Sequence, residues 1–120
     1  MSLGDQLIEA VATRDASALA ACFSPDLEFR ALVPSGLRER HGASETAQLF
    51  IKWFADSTEL DLAESRVDEV GGRLYVVYRL TGVEDDEPYL VEQHLYGTVV
   101  DGRISKADLL CSGFRPRPTD

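Results

Sequence analysis

Residues 91–104 read VEQHLYGTVVDGRI, and the fold turns on how that stretch is read. Apolar, strand-forming runs flank Asp101-Gly102, a favoured two-residue hairpin turn because both central positions need positive φ. Yet Glu92, Gln93 and His94 stand in succession inside the first strand. Strand side chains alternate between two faces, so the register decides which of the three go inside. If Asp101 and Gly102 alone form the loop, Val100 faces Arg103, and Glu92, His94 and Tyr96 fall opposite Cys111, Leu109 and Ala107. One face then carries those six residues. The other carries Gln93, Leu95, Val99, Ile104, Asp108 and Leu110.

Further strands flank this hairpin on its N-terminal side. Leu60 to Val70, Arg73 to Gly82, Tyr89 to Val100 and Arg103 to Gly113 all have strand character, joined by Gly71-Gly72, an acidic loop at Glu84–Glu87, and Asp101-Gly102. If Gly71-Gly72 is also a two-residue turn, Glu64 faces Arg79. Nearer the N-terminus the period changes. Leu3, Leu7, Ile8 and Val11 mark a helix face, and Asp15 sits as N-cap to a second short helix through Leu19, Cys22 and Phe23. Ser24-Pro25-Asp26 ends it, and LEFRALV (27–33) reads as a strand. PSGLRERHG (34–42) reads as an irregular crossing, which leaves His41 in an exposed loop. A third helix, roughly Ser44 to Asp56, bears Leu49, Phe50, Trp53 and Phe54. Helices followed by an antiparallel meander predict one α+β domain over residues 1–120, with the helices on one face of a strongly curved sheet.

Composition narrows the function. The chain has 120 residues, with 12 Lys and Arg against 21 Asp and Glu, for a net charge of −9. Nucleic-acid binding requires a basic face, which this balance does not suggest. No run of about 18 apolar residues suggests a membrane span, and MSLGDQLIEA lacks a signal-peptide pattern, so the expected location is cytoplasmic. Cys22 and Cys111 are then reduced, and no two Cys or His lie at zinc-ligand spacing, so no metal is expected. Both faces of the last hairpin are substantially apolar, and three short helices cover one face. A second copy of the chain is the expected cover for the other, through Leu95, Val99, Ile104 and Leu110.

RDASALAACFSPDLEF (14–29) resembles the start of NTF2-like, or SnoaL-like, proteins: an acidic helix cap, Leu, an aromatic, Pro/Asp and a first strand. His41-Gly42 before the third helix and Asp101-Gly102-Arg103-Ile104 resemble two further landmarks in the same order. The resemblance spans nearly the whole chain. It implies a cone in which helices and a concave sheet enclose a pocket, with dimers formed through the convex face. Ketosteroid isomerase, scytalone dehydratase, limonene epoxide hydrolase and polyketide cyclases share that fold with non-catalytic transport and scaffold domains, so fold does not choose function. Against the isomerase, its helix tyrosine falls on Leu7, its general base near Ala31, and its oxyanion-binding aspartate on His94. Two of three roles are missing, which argues against steroid isomerisation.

Glu92 and His94 are thus expected to share the inner face. They would be either an ion pair closing one end of the cone or a proton-transfer pair, with His94 as acid or base and Glu92 orienting it. Tyr96, Tyr78, Leu109, Cys111, Trp53 and Phe50 are the candidate pocket wall, the tyrosines offering hydroxyls to a ligand. Cys111, facing Glu92, is expected to be packing rather than a nucleophile. The expected function is binding of a small apolar organic molecule, with cofactor-free isomerisation, dehydration, cyclisation or hydrolysis as its chemistry. The alternative is a non-catalytic ligand-binding or protein-interaction domain.

Overall fold

The computed structural model describes residues 1–118. Three helices, α1 (Leu3–Ala12), α2 (Ala16–Ala21) and α3 (Ala43–Phe54), pack on one face of a curved, unclosed sheet. Its strands are β1 (Phe23–Val33), β2 (Gly36–His41), β3 (Ser57–Val70), β4 (Arg73–Glu84), β5 (Glu87–Val100), β6 (Arg103–Cys111) and β7 (Arg115–Pro116). The spatial order is β2-β1-β6-β5-β4-β3, and β7 pairs with the start of β5. All pairings are antiparallel except β1 with β6. The α+β arrangement expected from the element order is present, in the cone form that the resemblance implies.

Local chemistry explains the elements. Ser2 caps α1 by accepting from the Asp5 amide, and Asp15 caps α2 by accepting from the Ala18 amide. Gly71-Gly72 and Asp101-Gly102 make their turns at positive φ, and Asp85-Asp86 makes a third of the same kind. Leu7, Val11 and Leu19 bury the inner sides of α1 and α2, while Phe50 joins Phe23, Phe29 and Trp53 in one aromatic group. At Gly4, α1 approaches β3 so closely that a Cβ would lie 2.6 Å from Val67. The expected irregular crossing at residues 34–42 is instead a hairpin strand. Pro34-Ser35 turns the chain, and β2 returns antiparallel to β1 with Arg38 beside Ala31 and Arg40 beside Phe29.

The last hairpin departs from its expected register. Val100 does pair with Arg103 and Val99 with Ile104, but the next pair is Thr98 with Lys106. Ser105 is therefore an unopposed bulge residue, and every pair beyond it shifts by one. Cys111 faces Gln93, Leu109 faces Leu95, and Leu110 faces His94. Ala107, Leu109 and Cys111 do lie inside, as expected, but their partners on the inner face are Gly97, Leu95 and Gln93. Glu92, His94 and Tyr96 lie on the convex face. Of the four residues expected to cover a dimer face, Leu95 and Ile104 are fully buried within the chain, while Leu110 and Val99 are exposed.

Arg14 fastens the helical layer to the sheet. It adopts φ +55° at the α1–α2 turn, and its Nη1 donates to the carbonyls of Phe54 (3.1 Å) and Ser57 (2.7 Å). The Phe54 carbonyl is among those a helix C-terminus leaves without an internal partner. Arg14→Met keeps much of the side-chain volume and removes both bonds. It should lower unfolding free energy by about 1–3 kcal/mol, read as a lower urea midpoint at constant slope. An unchanged midpoint would show that solvent satisfies those carbonyls equally well.

Candidate functional site

The pair expected inside the cone forms, but on the other side of the sheet. His94 Nε2 lies 2.6 Å from Glu92 Oε2, and His94 Nδ1 lies 2.9 Å from the Tyr75 hydroxyl. The other Glu92 oxygen accepts from Nε and Nη2 of Arg79, at 3.1 and 2.9 Å. A neutral imidazole satisfies both contacts when Nε2–H donates to the carboxylate and the tyrosine hydroxyl donates to Nδ1. These half-buried groups sit in an open groove with Glu64, Arg66 and Val77. Tyr96 stacks on Tyr75 nearby, with centroids 4.5 Å apart. Neither Glu92, His94 nor Tyr96 can line the interior.

Gln93 takes the interior place instead. It is 1% exposed, accepts a hydrogen bond from the buried Tyr78 hydroxyl, and donates to Cys111 Sγ at 3.5 Å. The Gly113 amide donates to the same sulfur at 3.4 Å. Burial, with the nearby Cys111 as a lesser cause, holds the Tyr78 phenol well above its usual range, so it stays a neutral donor. Phe50 and Tyr78, both expected in the pocket wall, are packed into the core, and Leu109 is 4% exposed. These side chains occupy the depth of the cone.

An open cavity of about 620 Å³ lies at the mouth. Its walls are the β1–β2 hairpin, the last turns of α3, the end of β6 and the chain after it. Trp53 and Cys111, two of the expected pocket residues, do line it, with Leu49 and Phe114. Phe114 is held by edge contacts to Phe54 and Tyr89, at centroid distances of 5.7 and 5.0 Å. Gly113 closes one corner: its φ is +83°, and a Cβ there would lie 2.6 Å from Pro34. Arg38, Arg40, Lys52 and Arg115 complete the wall, and no carboxylate or imidazole belongs to it. Reading residues 34–42 as irregular hid Arg38 and Arg40. The signal was present in GLRERH, where arginines alternate with Leu37, Glu39 and His41 and so share one face.

The SnoaL-like domain family matches residues 5–107. The chain belongs to the SnoaL-like family. Solved structures with the same fold include an LEH-like epoxide hydrolase of M. tuberculosis, 15% identical over 92% of this chain and 80% of that one, TM-score 0.70. A Catenulispora acidiphila protein with a ketosteroid isomerase-like fold, solved in complex with trimethylamine, is 12% identical over 89% and 82%, TM-score 0.73. A de novo designed protein from a set with diverse pocket structures is 23% identical over 91% and 95%, TM-score 0.61. The comparison with curated proteins finds no match. At these identities the structural likeness establishes the fold, and the SnoaL-like scaffold hosts more than one activity.

The outer cluster of this SnoaL-like chain has a signature in pH. The hydrogen bond from His94, helped by Arg79 and opposed by desolvation, holds the Glu92 carboxyl below its ordinary value. A depressed folded-state value contributes stability above the unfolded pKa, about 4.3, and that contribution is lost as pH falls through the folded value. Wild type should therefore lose more stability than Glu92→Gln between about pH 5 and pH 3, followed by urea unfolding across that range. Parallel losses would show that the pair contributes nothing to acid sensitivity.

Proposed function

We propose that this SnoaL-like protein binds a small molecule with an apolar body in the cavity at the cone mouth, and that it does so without proton-transfer catalysis. The observation that carries this reading is the cavity of about 620 Å³ faced by Leu49, Trp53 and Phe114, within the range of roughly 300–1,000 Å³ typical of small-molecule sites. Proton transfer needs a group that titrates near neutral pH within hydrogen-bond reach of the substrate. The imidazole and carboxylate expected to serve lie across the sheet. The interior amide of Gln93 does not titrate, and Ala31 is fully buried and apolar. Isomerisation, dehydration, cyclisation and hydrolysis by a His94–Glu92 pair therefore lose their geometry, and ligand binding on the same scaffold is the better reading.

Trp53 is the sole tryptophan and reports on its own cavity. The uncharged fluorophore N-phenyl-1-naphthylamine should bind with energy transfer from Trp53. Val33→Phe, which fills the cavity from its half-buried rim, should weaken that binding by about tenfold. Binding without transfer, or unaffected by Val33→Phe, would place the probe elsewhere and remove the reading.

We also propose that a second copy covers the convex sheet face, keeping Leu110 of the residues first expected and adding Leu32 and Leu37. Leu32, Leu37 and Leu110 are 51%, 55% and 54% exposed. Leu32 pairs with both others across β1, β2 and β6, so the three form one apolar stripe. Flanking charges of both signs, Arg30 with Asp108 at 2.9 Å and Arg79 with Glu92, suit a two-fold, self-complementary contact. Light scattering should give twice the 13.2 kDa chain mass, and Leu110→Arg should halve it. A wild-type monomer at micromolar concentration would defeat the proposal.

A further inference from the structure

The charge on the cavity wall runs against the charge of the molecule. The chain carries 21 carboxylate side chains and 12 Lys and Arg, yet Arg38, Arg40, Lys52 and Arg115 converge on one cavity with no carboxylate in its lining. None of the four forms an ion pair among the described residues. Lys52 has an ordinary local role, because a cation in the last turn of α3 complements the helix dipole. Neither arginine of β2 sits at a helix end, although Arg40 also borders a neighbouring groove lined by Glu28, Glu39 and Glu45. The pairings of Arg38 and Arg40 with Ala31 and Phe29 place both on the concave, core-side face, while Leu37 is left 55% exposed on the convex one. An edge strand that turns its arginines inward and its leucine outward holds positive charge where a buried or bound group can use it.

The guanidinium groups are also held by weak partners. Arg38 donates to Ser35 Oγ at 2.7 Å and to the Leu37 carbonyl at 3.3 Å, and Arg40 donates to the Glu39 carbonyl at 2.7 Å. All three acceptors are neutral. A carboxylate offers two charged oxygens to the planar fork of an arginine, and such charge-assisted bonds are roughly twice as strong as neutral ones. Leu49, Trp53 and Phe114 supply an apolar and aromatic wall beside those cations.

We propose that the cavity takes an apolar carboxylic acid with an aromatic or otherwise unsaturated body, its carboxylate held by Arg38 and Arg40 and its body packed against Trp53. This names the ligand class of the cavity and so rests on the small-molecule reading above. The two are separated by a pair of fluorophores that differ by one charged group: anionic 1-anilinonaphthalene-8-sulfonate and uncharged N-phenyl-1-naphthylamine. Unspecific attraction of an anion to a chain of net charge −9 is disfavoured, which makes the comparison discriminating.

The anionic probe should bind at least about tenfold more tightly than the neutral one, with energy transfer from Trp53. Arg38→Gln and Arg40→Gln should each remove about tenfold of its affinity and leave the neutral probe unchanged. 2-Naphthoate should displace it, and 2-naphthamide should not. Equal binding of both probes at Trp53, or equal displacement by acid and amide, would overturn the acid and leave the binding site standing. Failure of both probes to bind at Trp53 would overturn both readings.

Discussion

Side chains alternate across a strand, so one unopposed residue, Ser105, decides what the last hairpin presents to each side of the sheet. Without that bulge, Ile104 would share a face with Lys106, Asp108 and Leu110. Either Ile104 would lie in water or two charged side chains would point into the core. Leaving an isoleucine outside forfeits about 1.5–3 kcal/mol, whereas burying a charge costs several kcal/mol per ion even after relaxation. The bulge avoids both. Ile104, Ala107, Leu109 and Cys111 all turn inward, and Lys106 and Asp108 reach solvent. The same slip carries across to β5, where it sends Gln93 and Leu95 in and Glu92 and His94 out. A neutral amide can be satisfied inside by one phenol and one thiol; a carboxylate in that place would have required a buried cation.

The two edges of the sheet use charge differently. β3 is a long edge with Glu59, Asp61, Glu64, Arg66, Asp68 and Glu69 along it, and its pairing is broken by two irregularities. Both features oppose pairing with another chain. β2, the other edge, is short and puts its cations on the concave side. The apolar faces of α1 and α3 share the core beneath, and the phenylalanines around Phe50 close the depth of the cone. The cavity lies at the mouth, where Gly113 meets Pro34 of the β1–β2 hairpin and Phe114 packs against Phe54 of α3.

Much of this was legible because it is local. The helix at Leu3, the Asp15 cap, the turn glycines and the change of period after the third helix each depend on a few neighbouring residues, and each appears in the fold. What escaped depends on non-local compensation. The bulge has no glycine to mark it, and the apolar pair Leu109-Leu110 reads equally well in either register. Its one trace is the odd spacing from Ile104 to Ala107 across two polar residues, which a regular strand cannot place together inside. The β2 hairpin was hidden by its turn, Pro34-Ser35, and by a strand whose apolar content is a single leucine. The Glu92–His94 contact was legible because residues two apart on a strand share a face whichever face it is. Its side was not.

The sheet separates two polar constellations that the sequence interleaves. On the convex side, Tyr75, His94, Glu92 and Arg79 form a continuous hydrogen-bonded chain with groups that can gain or lose protons. On the concave side, Tyr78, Gln93 and Cys111 form another, ending at the cavity wall. The residue between the two members of the outer pair belongs to the inner chain, yet adjacent strand residues project in opposite directions, and the backbone lies between them. The outer imidazole therefore has no route to a molecule in the cavity. The inner chain begins at a phenol that burial keeps protonated and passes through an amide that cannot titrate, so it orients hydrogen bonds rather than relaying protons. On the proposed reading, a molecule in the cavity would meet the aromatic wall, the charges of Arg38, Arg40, Lys52 and Arg115, and the Cys111 thiol. The proposed binding function rests on these fixed contacts and needs no group that cycles between protonation states.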